Sequence, residues 1–196
     1  MAYRLRDLVL SIIALLVLGW LFVIICIALA LTQKRVFFVQ ERTGYRGKVF
    51  RLIKFSTLRD ILPGEREEDD QRKRLTPVGK LLRRVSLDEL PQLFNVIAGQ
   101  MSLVGPRPLI HQYWNLYSNE QKRRFEVRPG ITGWAQVKGR NALTYTERFQ
   151  LDVWYVENQS FGLDVRILFM TLGKMFSGKG VYANEQTTSA LFDGTN

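Results

Sequence analysis

A chain of 196 residues is one domain's worth of sequence, with room for a real core. Its formal charge of +10 favours anionic partners, among them nucleic acid, phosphorylated metabolites and acidic lipid surfaces, and composition alone does not choose between them. The single cysteine, Cys26, lies inside an apolar run, which excludes a disulfide framework and a zinc cluster.

The choice is made by Leu8 to Leu31, 24 residues without a charge. At about 1.5 Å per residue such a helix measures roughly 36 Å, enough to cross a hydrocarbon core of about 30 Å. A cleaved signal peptide ending near Ala28-Leu29-Ala30 fits less well. The apolar core outruns the usual h-region of about 7–15 residues, and the segment beyond it is strongly basic. Arg4 and Arg6 precede the run, and Lys34, Arg35, Arg42 and Arg46 follow it. Positive charge on both flanks fits a segment that enters and leaves by the same face. Residues 1–34 therefore read as a membrane anchor and 35–196 as the globular part. From Met1 to Leu58 nine Lys and Arg face two acids, a net of +7, which places most of the excess charge where it meets anionic headgroups. With such an anchor, a nucleic-acid partner is remote.

Beyond the anchor, Val36 to Val39 and Val49 to Phe55 are rich in β-branched and aromatic residues, and Thr43-Gly44-Tyr45-Arg46-Gly47 supplies a hairpin turn between them. Arg59 to Arg74 carries six acids and five bases and reads as a solvated loop, with a lid over the site as the alternative. Thr76-Pro77 is a helix cap followed by proline at the first helical position. Leu109 to Phe125 mixes Tyr113, Trp114, Leu116 and Tyr117 with Lys122, Arg123 and Arg124. That pattern fits an amphipathic helix at the membrane interface, or a core helix nearly as well. Leu163 to Phe176 is ambiguous in the same way, and the tail from Ser177 reads as loosely held. The expected fold class is mainly α with a small β-hairpin: a hydrophobic, re-entrant N-terminal helix and amphipathic interface helices around a compact domain.

The chemistry is concentrated in Ser86-Leu87-Asp88-Glu89-Leu90-Pro91-Gln92-Leu93-Phe94-Asn95, which follows the basic patch Lys80-Leu81-Leu82-Arg83-Arg84. Paired acids beside Arg and Lys suit metal-assisted phosphoryl transfer better than packing. A structural reading competes, because Ser86-Leu87-Asp88-Glu89 also matches a capping box in which Glu89 only satisfies a helix end. Arg83, five residues before Asp88, is the first choice for a phosphate clamp. Gly105-Pro106-Arg107-Pro108 is a rigid turn that preorganises Arg107, and Arg128-Pro129-Gly130 with Gly139-Arg140-Asn141 brackets a glycine-punctuated loop holding Trp134 and Gln136. His111, the only histidine, stands outside the mechanism. Neither a complete Gly-x-x-x-x-Gly-Lys-Ser/Thr loop nor a Gly-x-Gly-x-x-Gly fingerprint is present, so ATP-driven and nicotinamide chemistry have no support.

Taken in order, these motifs closely resemble the bacterial sugar transferases, small monotopic phosphoglycosyl transferases that load a phosphosugar onto a polyprenyl (undecaprenyl) phosphate. The resemblance runs from the membrane segment almost to the C-terminus. It implies a Mg²⁺-dependent enzyme of the cytoplasmic face of the bacterial inner membrane, with 35–196 as its catalytic domain. It makes Asp88 the nucleophile and a ligand of the Mg²⁺, and Glu89 its partner acid. UMP would leave from a UDP-sugar, and an aspartyl-phosphosugar would pass its sugar phosphate to the lipid as the first membrane step of glycan assembly. Arg83, Arg107, Arg128, Arg140, Lys54, Thr57 and Gln136 are the substrate-binding residues it implies, although Ser56 and Leu58 depart from the commoner wording around Lys54 and Thr57. Membrane lipids and downstream glycosyltransferases are the further partners. The family breaks its helix at a Ser-Pro pair, where this chain reads Gly19-Trp20-Leu21-Phe22, so a break would have to come from Gly19. Residues 139–155 look most like members that use N-acetylated, often diamino, sugars. A catalytically silent scaffold that recruits glycosyltransferases is the alternative from another class.

Overall fold

A computed structural model of the chain describes residues 2–33, 35–62, 71–139, 143–177 and 192–194. Its first element, α1 (Ala2–Thr32), is one helical run that passes through Gly19 and Trp20 without interruption, so the expected break at Gly19 is absent from the hydrogen-bonded helix. The helix is long and apolar enough to cross a membrane, judged by length and composition. Its buried residues fall in two groups, Asp7 and Ser11 near the start and Ile25 and Leu29 near the end. Between them the surface is bare, with Leu16 77% and Trp20 65% exposed. Both ends of α1 therefore rest on the rest of the chain while its middle does not.

The C-terminal end of α1 packs on a β-hairpin. Strands β1 (Phe37–Thr43) and β2 (Val49–Phe55) pair antiparallel, Phe37 opposite Phe55 and Thr43 opposite Val49, across the turn Tyr45–Gly47 where the sequence placed it. Arg46 and Gly47 both take positive φ in that turn. The Phe22 ring of α1 lies 4.9 Å from Phe55, 5.7 Å from Phe94 edge-on and 6.1 Å from Phe37. Ile25, Leu29, Phe55 and Leu82 close the same apolar cluster, with Cys26 packed against it as a small hydrophobe.

Helix α2 (Pro77–Arg84) begins as its sequence dictates: the Thr76 hydroxyl accepts from the Gly79 amide at 3.0 Å, and proline takes the first helical position. Gly79 lets α2 lie directly on the chain leaving β2, since a Cβ there would stand 2.1 Å from the Thr57 carbonyl oxygen. A short helix α3 (Gln92–Ile97) follows, then β3 (Ser102–Val104). This strand pairs in parallel with β4 (Gly130–Thr132), a second two-stranded sheet that the sequence reading did not contain.

The stretch from Leu109 to Phe125 is not one amphipathic helix. It breaks into a 3-10 turn (His111–Leu116), α4 (Asn119–Lys122) and another 3-10 turn (Arg123–Phe125). Its aromatics turn inward: Tyr113, Tyr117 and Phe125 join Phe149 in a buried cluster. This decides for a core role over an interface helix. Of the tail from Ser177, residues 178–191 lie outside the described residues, and Phe192 is only 2% exposed and stacks on Tyr117 at 5.4 Å. The fold is completed by α5 (Trp134–Lys138), α6 (Tyr145–Asn158) and α7 (Phe161–Ser177). The loop-or-lid segment is described only at its ends, where the Arg59 amide donates to the Arg74 carbonyl at 2.8 Å; residues 63–70 lie outside the described residues.

Candidate active site

Asp88 and Glu89 stand in a 3-10 turn (Leu87–Glu89) between α2 and α3. The capping box that their sequence allows does not form. Ser86 takes φ 57 and ψ 22, a left-handed conformation that costs a non-glycine residue energy, and its side chain makes no cap bond. Released from that duty, Glu89 Oε1 accepts from Arg107 Nη2 at 2.6 Å. Asp88 faces inward and is 8% exposed.

Lys54, near the end of β2, lies with Asp88, Glu89, Arg83 and Arg107 in one mutual electrostatic field. Its ammonium sits 5.0 Å above the Phe38 ring. Arg83 Nε donates to Thr57 Oγ1 at 2.9 Å, and the close seating of α2 over Thr57 brings these two together. The folded chain thus gathers Lys54, Thr57, Arg83, Asp88, Glu89 and Arg107, six of the nine site residues chosen from sequence.

Charges in this group are costly to hold. Burial pushes the Asp88 carboxyl above the usual carboxylate range and Glu89 adds to it, while Lys54, Arg107 and Arg83 pull the other way. Burial likewise pushes Lys54 down to about 8, against the pull of Asp88. Such opposed shifts in one cleft are characteristic of reacting centres, although structural ion pairs also produce them. Two adjacent carboxylates, Asp88 raised by burial and by its neighbour, fit a divalent cation of the magnesium type. That ion takes one or two protein carboxylates and completes its shell with phosphate oxygens and water. Among the described residues no set of three or more His, Cys, Asp or Glu forms a self-sufficient cage, so substrate oxygens would have to complete the shell.

Of the remaining three sequence choices, Arg128 and Gln136 bond backbone away from this group. Arg128 donates through Nε to the Gly99 carbonyl at 2.9 Å and its guanidinium lies over the Tyr45 ring. Gln136 donates to the Ile131 carbonyl at 3.0 Å, and its Oε1 is buried without a partner among the described residues. Arg140 lies outside the described residues. His111, set aside from the chemistry, shares a 3.2 Å hydrogen bond with Thr43 Oγ1.

Three basic residues near Arg107 were not assigned to the site from the sequence, although Arg42 and Arg124 were noted for their charge. Arg42 is pushed down to about 10, chiefly by burial and then by Arg107. Arg124, 1% exposed, is paired with the equally buried Asp152 at 2.6 Å and donates to the Arg107 carbonyl at 2.8 Å. Arg148 is also lowered by burial and feels both Arg107 and Arg124. Asp152 was the available signal: a lone acid inside Leu151-Asp152-Val153-Trp154-Tyr155 must find a cation once that helix face is buried.

A carboxylate pair set among arginines and one lysine thus stands beside the apolar cluster that receives a helix long and apolar enough to cross a membrane. The chain belongs to the bacterial sugar transferase family, whose sequence model matches residues 1–178. An uncharacterized sugar transferase, EpsL, of Bacillus subtilis (strain 168) is 49% identical over 82% of this chain and 79% of its own length. The exopolysaccharide production protein ExoY of Rhizobium meliloti (strain 1021) is 36% identical over 93% of this chain and 88% of its own. The UDP-glucose:undecaprenyl-phosphate glucose-1-phosphate transferase of Xanthomonas campestris pv. campestris is 38% identical over 92% of this chain. This chain spans only 40% of that relative's length.

Proposed function

We propose that this chain transfers a sugar-1-phosphate from a UDP-sugar to undecaprenyl phosphate, releasing UMP, as the first membrane step of glycan assembly. The observation that carries this reading is the buried Asp88 beside Glu89, ringed by Lys54, Arg83 and Arg107. Names of relatives such as that of Xanthomonas campestris support the same reaction class.

In this reading an Asp88 carboxylate oxygen attacks the phosphorus that bears the sugar. The bond from that phosphorus to the bridging oxygen breaks, and UMP departs with the electron pair. The undecaprenyl phosphate oxygen then attacks the same phosphorus and expels the Asp88 carboxylate, which is regenerated. A covalent intermediate lets two anionic substrates react in turn, so they need not be held together. Arg83 and Arg107 neutralise the diphosphate, and Lys54 offsets the negative charge gathering near Asp88. Magnesium held by Asp88 with its neighbour Glu89 would supply charge neutralisation on the diphosphate.

A silent scaffold is disfavoured by the same cluster. Burying Asp88 costs stability, and a protein that only recruits others gains nothing from the expense. The anchor supports a membrane location, with Met1 and the catalytic part both on the cytoplasmic face, α1 dipping into one leaflet, and the site open to both substrates. N-acetylated amino sugars are the favoured donors. The deciding experiment offers purified protein a panel of UDP-sugars with undecaprenyl phosphate and magnesium, and measures UMP. One sugar should release UMP in a lipid-dependent way. Silence across the panel would return the scaffold reading.

A further inference from the structure

Helix α3 is six residues long, roughly 9 Å, and carries the Asp88–Glu89 turn directly at its N-terminal side. Leu90 and Pro91 accept from the Leu93 and Phe94 amides at 3.1 Å, so turn and helix form one continuous coil. Whatever fixes α3 also fixes the two acids. Sideways it is bolted to β2 by Asn95. Asn95 Oδ1 accepts from the Ile53 amide at 3.1 Å and Nδ2 donates to the Arg51 carbonyl at 2.7 Å, on either side of Leu52 and just before Lys54.

Along its axis α3 is held from the far end. A helix leaves its last carbonyls without intrahelical partners, and these carry the negative pole of its dipole. Here Gly99, at φ +79, turns the chain back, and two arginines from distant parts of the sequence close the end. Arg4, in the first turn of α1, donates through Nη1 to the Val96 carbonyl and through Nη2 to the Ile97 carbonyl, the latter at 2.6 Å. Arg128 Nε donates to the Gly99 carbonyl at 2.9 Å.

We infer that Arg4 and Arg128 are positioning residues. They clamp the C-terminal end of α3 and thereby hold Asp88 and Glu89 in register with Lys54, so the first turn of the membrane helix is a working part of the catalytic centre. Arg128, which the family resemblance made a substrate-binding residue, acts through α3 and not on substrate. The proposal rests on Asp88 and Glu89 being the reacting pair.

The test uses the full chain in lipid nanodiscs. Arg4→Gln removes the clamp but leaves α1 docked, since Arg6 remains bonded to Asp7 and Asp164, and Ser102 to Asp7. Hydrogen exchange should then speed up about tenfold at Ala98 to Met101, whose amides bond the end of α3, while the rest of the protein keeps its protection. The kcat per folded molecule should fall roughly tenfold to a hundredfold, with KM for the UDP-sugar within about twofold. Arg4→Lys should recover part of the loss, and Arg128→Gln should behave as Arg4→Gln does. Unchanged exchange in Arg4→Gln overturns the clamp. Faster exchange with full kcat overturns its catalytic role. A raised KM at unchanged kcat in Arg128→Gln returns that residue to the substrate. If the wild-type protein releases no UMP at all, the proposed function fails, and the exchange measurement still judges the clamp.

Discussion

Asp88 and Glu89 are neighbours in sequence with different surroundings, and each calls for its own test. Asp88 is buried and its carboxyl is raised by that burial, whereas Glu89 is engaged with the half-exposed Arg107. Asp88→Asn should fold as well as the parent and lose all turnover, because an amide cannot form the acyl phosphate; wild-type turnover by this variant would end the mechanism. Glu89→Gln forgoes only a partly exposed ion pair, worth on the order of 1 kcal/mol or less, so its melting temperature should stay near that of the parent. Its kcat should nevertheless drop steeply, which melting and rate measured side by side will reveal. Lys54 gives a pH signature. Its ammonium is pushed down to about 8, so the positive charge is present below that pH and is lost as pH rises through it. Turnover should decline with a midpoint near 8, and Lys54→Arg should carry the decline to higher pH.

At the scale of elements, the pairing of Arg124 with Asp152 joins the turn after α4 to α6 and, through the Arg107 carbonyl, to the rigid Gly105–Pro108 turn. Breaking a buried pair by neutralising one partner costs about 3–5 kcal/mol, so Asp152→Asn should lose that much in denaturant unfolding. A loss under about 1 kcal/mol would show that the pair does not bear on the fold. Features set by neighbouring residues were legible in the sequence: the hairpin with its turn, the Thr76-Pro77 cap, the long apolar helix, the acids with Arg83 just before them, and Arg107 in its rigid turn, while Lys54 and Thr57 came from the family resemblance. Features set by distant residues were not. The aromatic and basic spacing of Leu109–Phe125 imitates an amphipathic helix, and only Phe149 and Phe192, far along the chain, show that its rings face a core. Strands of three residues are too short to display a period of two, which hid the β3–β4 pair. Ser86 reads as a cap by type, while its left-handed backbone is decided by how α2 and the following turn must join.

For the whole molecule the question is which side of a membrane each end of α1 occupies. Arg6 bonds Asp7 at 2.8 Å and Asp164 at 2.5 Å, and Asp164 accepts from the Tyr155 hydroxyl at 2.7 Å. These groups lie in the body that also receives Phe22, Ile25 and Leu29 from the other end. Pulling the first turn to the opposite face would strand several buried charges without partners, a loss of several kcal/mol each. A single cysteine at Ala2 in a Cys26→Ser background should therefore resist an impermeant reagent added to intact cells and react once they are opened. Labelling from outside would establish a spanning helix.

The two-ended attachment of α1 also sets an order of events during synthesis. The helix leaves the ribosome before α7, and Arg6 finds Asp164 only after about 160 further residues have been made. At ~5–20 residues per second that is a wait of roughly 8–30 s, through which Arg6 must stay without its Asp164 partner. The apolar end is completed much earlier, when Phe55 and then Leu82 emerge. A nascent chain halted before Val96 should accordingly hold Phe22 to Leu29 against the hairpin while its N-terminal end remains open to protease. Closure should begin when Arg4 meets α3 and Asp7 meets Ser102, and be completed when α7 brings Asp164 to Arg6.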